Sequence, residues 1–594
     1  MAGIGLGCAF FSLLLSPKVA YHTGLTEKDL LDDFLTQQLF PFVNDKIKKV
    51  GPIDEFKPGK LHEKGVKHPV YLIPGFVTTG LELWEGKECA DKYFRERLWG
   101  STSTAQAFLS DRDCWATHLR LDAETGLDPE NIRLRAAQGF GAADYFIGNY
   151  WVWSKIIENL ALVGYGPNNM YMFGYDWRLS PRRLQERDNY FTLLKSSIEN
   201  SVKQHGEKVV LISHSMGGNT MIWFMNWVEA DRKIGGGGGG GVWVDKHIKS
   251  FVNVAGPLLG TSKALSAMLT GDTSDMSPFE PMLEQVFGRV KRMELFTSWG
   301  SIYNLVCKGG NKIWGNDPAI TFTDYGGDGD GDGDGDGDDS TADAADATAD
   351  AADATADAAD ATADAAEDNI FTKFSNSAHR TTDEMVNFLS EWGGGFGEKI
   401  TKDLGYSFDV EVVKKGFFSF EQPNDELWHN PLMTKLPAAS DMTIHCLYGV
   451  GRETEESYFY KRNPVEKERV DVPFSVDTSV SDKKNGVTSG IKYGDGDSTV
   501  PLVSLGYMCR GGWLTPDFNP SGVKVVTREY KDFGNFKMLD PFREGPNSGH
   551  HVDIMGNVDL IQDILYVVTG EEDKLKDRIL SNIDTIVGDI RKRL

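Results

Sequence analysis

The sequence lacks the closely spaced cysteine pairs that hold structural zinc ions. Its 594 residues include six cysteines, which are Cys8, Cys89, Cys114, Cys307, Cys446 and Cys509. No two of them have C-x-x-C spacing. Structural zinc sites usually depend on such pairs, so the spacing argues against a metal site. From their number alone, we expect the cysteines to be buried thiols.

A long apolar run is also missing. Residues 2–15 carry no charge, but this stretch is shorter than the about 20 residues that cross a bilayer core. It resembles the apolar part of a secretion signal, although no basic residues precede it. A truncated membrane anchor and a buried strand are the alternatives. We assign residues 1–60 to a targeting or anchor remnant and a linker.

The chain lacks an excess of positive charge. The formal net charge is −25, from 62 Lys and Arg against 87 Asp and Glu. Residues 326–368 alone hold 16 of these acidic residues and no Lys or Arg, so most of the acidity is local. The balance argues against a nucleic-acid partner, which needs a basic surface, and against membrane docking through a polybasic patch.

Two stretches have a very simple composition. Residues 235–241 are seven consecutive glycines, which predicts a flexible linker or a loop tip. Residues 328–339 alternate Gly and Asp like the start of a calcium loop, but Asp339 stands where such a loop needs Glu, and no helices flank it. We therefore predict that 235–241 and 326–368 are disordered low-complexity inserts.

The most informative stretch is VVLISHSMGG at residues 209–218. Four apolar residues predict a buried strand, small residues predict a sharp turn, and residues 219–230 are rich enough in apolar side chains to predict a helix. A strand, a turn with serine at its apex and a helix are typical of the nucleophile elbow in an α/β-hydrolase fold. Ser215 is the candidate nucleophile, with Ser213 in place of the usual first glycine.

Acids and bases follow Ser215 in the order that this fold uses. Asp495 and Asp497 lie in an acidic turn after a predicted strand, and His550 and His551 lie in a later loop. A serine nucleophile needs a base to take its proton and a carboxylate to orient that base. The spacing alone does not choose between the two aspartates. The backbone N–H groups of Met216 and Phe76 are the candidate donors of the oxyanion hole.

Two further segments are amphipathic. Residues 78–109 mix aromatic side chains with charges, which predicts a lid that lies on lipid, or else an ordinary pair of surface helices. Residues 574–594 predict a helix with one apolar face, which we expect to pack on the domain rather than on a membrane. We predict one α/β-hydrolase domain over residues 61–570, with lid and cap insertions, followed by this helix at 571–594.

Several motifs together resemble one family. They are HPVYLIPGF, GLELWEGKECADKYFRERLWGS, LDAETGLDP, YDWRLS, SHSMGG, IHCLYGVGRETEESYFY, DGDSTVP and SGHHVDIMGN. The chain resembles the lecithin:cholesterol acyltransferase family, and within it the phospholipid:diacylglycerol acyltransferases that form triacylglycerol. The resemblance runs over residues 68–556 and is weakest at 271–408.

The resemblance implies roles for particular residues. By position, the nucleophile is Ser215, the acid is Asp497 and the base is His551. It also implies a lid closed by a disulfide between Cys89 and Cys114, with Trp84 just before it. A second implied disulfide joins Cys446 to Cys509, which changes our expectation of free thiols. Disulfides imply an oxidising compartment, and similar proteins sit in the endoplasmic reticulum membrane with a lumenal catalytic domain. We favour that location over a chloroplast envelope.

The implied activity is acyl transfer from a phospholipid to diacylglycerol through a serine ester, at a membrane surface and without a metal or organic cofactor. Two alternatives remain open. A phospholipase A, or an acylglycerol or galactolipid lipase, would use the same three residues. A non-catalytic lipid-binding scaffold would use none of them. Product analysis distinguishes the lipase from an acyltransferase, and a Ser215→Ala variant distinguishes the non-catalytic scaffold from an enzyme.

Overall fold

A computed structural model describes residues 65–146, 150–271, 288–317, 319–323, 379–384, 425–463, 474–533 and 544–594. The predicted N-terminal segment at 1–60 and the predicted acidic insert at 326–368, with its calcium-like repeat, lie outside these residues. Among the helices of these ranges, none combines the length and the apolar character needed to cross a bilayer.

Parallel strands form the centre of the molecule. The strands of the described residues are β1 (Val70–Ile73), β2 (Leu81–Glu85), β3 (Arg97–Trp99), β4 (Arg133–Ala136), β5 (Met170–Met172), β6 (Val209–His214), β7 (Ile248–Val254), β8 (Ile320–Phe322), β9 (His379–Arg380), β10 (Thr443–Val450), β11 (Arg452–Arg462), β12 (Phe474–Val476), β13 (Val487–Thr488), β14 (Ile491–Gly496) and β15 (Lys524–Lys531). Six of them form one sheet in the order β15-β10-β7-β6-β1-β5, and every neighbouring pair is parallel. A parallel sheet of this kind needs cover on both faces.

Helices supply that cover. They are α1 (Thr102–Ser110), α2 (Arg112–Leu119), α3 (Ser154–Leu162), α4 (Pro181–Asp188), α5 (Tyr190–His205), α6 (Gly217–Glu229), α7 (Trp243–His247), α8 (Ser262–Thr270), α9 (Arg289–Ser298), α10 (Gly300–Asn304), α11 (Gly310–Trp314), α12 (Leu502–Arg510), α13 (Val558–Val568) and α14 (Ile583–Arg593). Alternate strand residues enter two separate cores. Tyr71 and Ile73 belong to one buried cluster, whereas Val70 and Leu72 belong to the other. The predicted α/β-hydrolase class agrees with this architecture.

Two smaller sheets lie outside the central one. Strands β2 and β3 lie in the segment predicted as a lid, residues 78–109, and pair with β4 in an antiparallel sheet. The predicted segment is therefore two strands followed by helix α1, and not only a pair of helices; α2 and β4 come after it in the chain. The path β13-β14-β11-β8-β9, with β12 beside β11, forms the second sheet. Helices α8–α11 follow β7 in the chain and, like this second sheet, are not part of the central sheet.

The polyglycine stretch differs from its prediction of disorder. Its backbone N–H groups bond to the end of α6: Gly237 donates to Trp227 O at 2.7 Å and Gly239 donates to Val228 O at 2.8 Å. A Cβ atom added at Gly236 would lie 2.4 Å from the Cβ of Ala230. Because only glycine allows this close approach, residues 235–241 satisfy carbonyls at the helix end instead of forming a free linker.

The C-terminal helix is shorter than predicted. It spans Ile583–Arg593 rather than 574–594. Upstream of it, Arg578 forms a bridge with β15. The Glu529 carboxylate accepts the N–H groups of Leu580 and Ser581 at 2.5 and 2.7 Å. These tertiary bonds outweigh the local helical pattern. The helix itself contacts α12 through its buried apolar face, so it packs on the domain as expected.

Candidate active site

Ser215 lies at the apex of a strained turn. Strand β6 ends at His214 and α6 begins at Gly217, so only two residues connect them. Ser215 has φ of 54°, in the left-handed region that L-residues rarely adopt. Its N–H donates to Val254 O of the neighbouring strand at 2.9 Å. The turn is the nucleophile elbow that the sequence predicts, and such strain is typical of functional sites.

Glycine permits the close packing around this turn. A Cβ atom added at Gly217 would lie 2.6 Å from Pro74 O and 2.7 Å from Ile73 O, at the end of β1. A Cβ atom added at Gly75 would lie 2.8 Å from the Cβ of Ser215. The loop after β1 therefore passes directly beside Ser215, and larger residues at either glycine would push it away.

Three side chains form a continuous chain of hydrogen bonds. His551 Nδ1 donates to Asp497 Oδ2 at 2.7 Å, and the Ser215 hydroxyl donates to His551 Nε2 at 2.9 Å. Asp497 is fully buried and His551 is 5% exposed. The carboxylate holds the proton on Nδ1, which leaves Nε2 free to accept the serine proton. This arrangement suits a hydroxyl that attacks a carbonyl carbon.

The structure shows which of the two candidate aspartates and which of the two candidate histidines belong to the site. Asp497 Oδ1 accepts the N–H groups of Val500 at 2.8 Å and Thr499 at 3.1 Å, which fixes the second oxygen toward His551. Asp495 instead accepts the N–H of Gly451 at 2.6 Å. Asp495 therefore stabilises the turn. His551, rather than His550, contacts Ser215 and Asp497, as the family resemblance implied.

The candidate oxyanion donors flank the serine. Met216 follows Ser215 directly, and the N-terminus of α6 adds its positive dipole end at this point. Phe76 lies in the loop whose Gly75 meets Ser215. In the described ranges, neither the Phe76 nor the Met216 N–H donates to another residue. Two unused backbone donors beside a serine hydroxyl are what a tetrahedral oxyanion needs.

Residues that the sequence did not single out hold the histidine loop. Asp532 accepts the N–H of Gly549 at 2.7 Å, and Arg452 Nε lies 2.8 Å from Asp532 Oδ2. His214 Nε2 donates to His551 O at 2.9 Å. The position of His214 next to Ser215 was one available signal. Arg452 lies inside the motif at residues 444–460, but nothing in that motif indicated this contact, and Asp532 lies outside every motif that the sequence offered.

We call residues 81–119 the lid segment. Trp84 of β2 is 41% exposed, with the Arg95 guanidinium 4.1 Å from its ring centroid, and Phe94 is 61% exposed. A disulfide joins Cys89 to Cys114 across this segment. The implied lid therefore presents aromatic side chains to solvent at a cross-linked tip. Exposed aromatic rings beside cations suit a lipid interface.

The second implied disulfide is also present. Cys446 of β10 bonds to Cys509 of α12, so it ties the helix after the Asp497 loop to the central sheet. Cys307 is a buried free thiol, and burial raises its pKa to about 12. Cys8 lies outside the described residues.

One group of metal-ligand types meets within the described residues: Cys89, Cys114 and His118. Both sulfur atoms belong to the disulfide. His118 Nδ1 donates to Cys114 O at 2.7 Å, and its Nε2 accepts the N–H of Lys87 at 3.0 Å. Burial lowers the pKa of His118, so the ring is neutral at neutral pH. With its ligand atoms engaged, this group suits a structural role rather than metal binding.

Buried charges connect the lid segment to the sheet. Arg178, fully buried, donates to Asp176 Oδ2 at 2.7 Å, to Asp128 Oδ1 at 2.8 Å and to Leu119 O at 3.3 Å. Burial alone would raise the pKa of Asp176, but the charges of Arg178 and Arg187 outweigh it and lower that pKa. The YDWR motif thus supplies an ion-pair network that holds the end of α2.

Comparisons with known proteins show which proteins this chain is similar to. A family model described as lecithin:cholesterol acyltransferase matches residues 93–558. A Schizosaccharomyces pombe protein named phospholipid:diacylglycerol acyltransferase is 39% identical, over 95% of this chain and 84% of its own. A Saccharomyces cerevisiae protein of the same name is 33% identical, over 97% of this chain and 86% of its own. Arabidopsis thaliana phospholipid:diacylglycerol acyltransferase 1 is 36% identical, over 89% of this chain and 84% of its own.

Proposed function

Because this chain belongs to the lecithin:cholesterol acyltransferase family, we propose that it moves a fatty acyl group from a phospholipid to diacylglycerol. The observation that carries the proposal is the hydrogen-bonded chain from Asp497 through His551 to Ser215. Relatives at 33–39% identity are named phospholipid:diacylglycerol acyltransferase, and that name supplies the two lipids. The products are triacylglycerol and lysophospholipid.

The first half-reaction forms an acyl-enzyme. The Ser215 oxygen attacks the ester carbonyl carbon of the phospholipid while His551 Nε2 takes the hydroxyl proton. Asp497 stabilises the resulting imidazolium, and the Phe76 and Met216 N–H groups bind the negative oxygen of the tetrahedral intermediate. The bond from the carbonyl carbon to the glycerol oxygen then breaks. His551 gives its proton to that oxygen, and lysophospholipid leaves.

The second half-reaction uses the same groups in reverse. His551 takes the proton from the free hydroxyl of diacylglycerol as that oxygen attacks the acyl-enzyme carbonyl. The same two N–H groups bind the second tetrahedral oxyanion. The bond to the Ser215 oxygen breaks, His551 returns the proton to it, and triacylglycerol leaves. Each half-reaction makes one ester bond and breaks another, so no cofactor takes part in the scheme.

Transfer rather than hydrolysis requires that water is kept from the acyl-enzyme. Large aromatic rings surround the loop that bears Phe76. The Phe76 ring lies 5.2 Å from that of Trp177 and 5.9 Å from that of Trp299. Both tryptophans are almost fully buried. An apolar wall next to the reacting carbonyl disfavours water and accommodates a lipid acceptor, which supports transfer.

The test uses phosphatidylcholine labelled in its sn-2 acyl chain, in mixed micelles with purified protein. We expect label in triacylglycerol only when diacylglycerol is added, and none with Ser215→Ala. An Asp495→Asn variant is the matched control, because its amide oxygen can still accept the Gly451 N–H. Label in free fatty acid regardless of diacylglycerol would contradict the proposal and indicate a lipase.

We also propose that the catalytic domain works on the lumenal side of the endoplasmic reticulum, at the membrane surface. The two disulfides support an oxidising compartment, and exposed Trp84 and Phe94 support contact with lipid. Protease protection of the protein in intact microsomes tests the location. Digestion without detergent would contradict it.

A further inference from the structure

The loop that bears Phe76 has few bonds of its own. It follows β1, and Val77 within it has φ of 57°, a conformation that a β-branched residue adopts only under constraint. One bond inside the loop joins the Thr78 hydroxyl to Gly75 O at 3.0 Å. Contacts from elsewhere in the fold must therefore hold the loop beside Ser215, where the Phe76 N–H is the candidate oxyanion donor.

Two buried tryptophans provide such contacts. Trp99 Nε1 donates to Val77 O at 2.7 Å, and Trp177 Nε1 donates to Thr79 O at 2.9 Å. Trp99 is 8% exposed and Trp177 is fully buried. An indole N–H is a donor only, and burying it without a partner is costly, so each ring position is coupled to a loop carbonyl.

The rings also contact each other and the loop. The centroids of Trp99 and Trp177 are 5.1 Å apart, and Trp177 meets the Phe76 ring edge-on at 5.2 Å. Trp99 belongs to β3 of the lid segment, and its ring lies 6.1 Å from that of Trp115, next to the Cys114 disulfide. The loop is thus bonded on one side to the lid segment and on the other to the YDWR motif.

We propose that Trp99 and Trp177 are positioning residues that hold the Phe76 N–H in the oxyanion hole through their indole bonds to Val77 O and Thr79 O. The inference rests on the proposed function and deepens it. Neither tryptophan contacts Ser215, His551 or Asp497 through a hydrogen bond of the described residues. Their loss should therefore weaken oxyanion binding while the bonds of those three residues stay in place.

The test measures how fast an alkyl fluorophosphonate modifies Ser215. The serine oxygen bonds to phosphorus, fluoride leaves, His551 takes the proton, and the phosphoryl oxygen occupies the oxyanion hole. Removing one direct oxyanion donor typically slows an enzyme by 10²–10³. For loss of a positioning bond, we expect Trp99→Phe and Trp177→Phe each to slow modification by about tenfold or more.

The matched control is Trp243→Phe. Trp243 is equally buried, and its indole N–H donates at 2.7 Å to Glu199, away from the loop. We expect its rate to stay within about twofold of the wild type. The inference is overturned if the Trp99 and Trp177 variants behave like this control. If Trp99→Phe does not fold, 3-benzothienylalanine at position 99 keeps the ring shape and removes only the N–H.

A second readout separates positioning from general damage. The pH at which modification is half-maximal reports on the group that activates Ser215. We expect it to stay unchanged in both tryptophan variants, with the rate lowered by the same factor at every pH. A shifted profile would mean that the His551 bonds were disturbed, which contradicts the inference. The assay needs no phospholipid or diacylglycerol, so failure of acyl transfer in the wild type leaves its outcome interpretable.

Discussion

Replacing Asp497 with asparagine should move the ring proton of His551 from Nδ1 to Nε2 while keeping the hydrogen bond between the two side chains. Two backbone N–H groups, from Thr499 and Val500, point at Oδ1 and require an oxygen there. The asparagine amide oxygen must stay in that position, so its NH₂ group faces His551 Nδ1. Nδ1 then has to accept rather than donate. The proton moves to Nε2, which can no longer accept the proton of Ser215.

The expected loss follows from that reversed tautomer. In serine hydrolases, the equivalent change lowers kcat by about 10⁴-fold while the geometry is preserved. We expect a loss of similar size for Asp497→Asn, in both acyl transfer and fluorophosphonate modification. Asp495→Asn should stay within about twofold. Unfolding curves for both variants show whether the fold is retained. An Asp497→Asn protein that folds and keeps more than a tenth of the activity would refute this reasoning.

Three further changes test the stability of the fold. Arg178→Met leaves the buried Asp176 carboxylate with Arg187 as its remaining ion-pair partner among the described residues, so urea unfolding at pH 7 should show a loss of about 3 kcal/mol, the low end for a broken buried pair. The pKa of Asp176 is lower in the folded state than in the unfolded state, so this carboxylate stabilises the fold above its unfolded pKa of about 3.9, and the stabilisation fades as the pH falls below that value. If Arg178→Met lost as much unfolding free energy at pH 2.5 as at pH 7, this pH dependence would be contradicted. Lys308→Met should raise the melting temperature more at pH 7 than at pH 10. Burial lowers the pKa of Lys308 to about 7, so the wild-type fold loses stability as the pH falls from the unfolded pKa of about 10.4. An unchanged melting temperature at both pH values would contradict this. Replacing both Cys89 and Cys114 by serine removes a disulfide that closes a loop with a sequence separation of 25. The free energy of unfolding, measured by calorimetry or in urea, should fall by about 3.5 kcal/mol because the unfolded chain gains entropy. An unchanged unfolding free energy would contradict this.

Local patterns predicted the centre of the fold well. The strand before Ser215 and the helix after it are close to their predicted bounds, because an apolar run, a small-residue turn and an apolar helix leave few alternatives. Chain order then pointed to the acid and base loops. It did not choose between Asp495 and Asp497, since that choice depends on which carboxylate the turn after β14 directs at His551.

Tertiary contacts explain the misses. Composition predicted that residues 235–241 are disordered, but the absence of side chains lets that backbone bond to the end of α6. A helical pattern predicted a longer C-terminal helix, but the Glu529 carboxylate binds two of the N–H groups involved. The bonds of Trp99 and Trp177 to the oxyanion loop join residues far apart in sequence, and no spacing rule reveals them.

The central claim is that acyl transfer passes through an ester on Ser215. Mass spectrometry of the Ser215 peptide tests it most directly, after acid quenching of protein mixed with phosphatidylcholine that carries a deuterated sn-2 chain. Without diacylglycerol, we expect the deuterated acyl group on Ser215. On addition of diacylglycerol, that signal should fall as deuterated triacylglycerol appears. Deuterated triacylglycerol formed at full rate with no acyl group on Ser215, or formed by Ser215→Ala, would contradict the account.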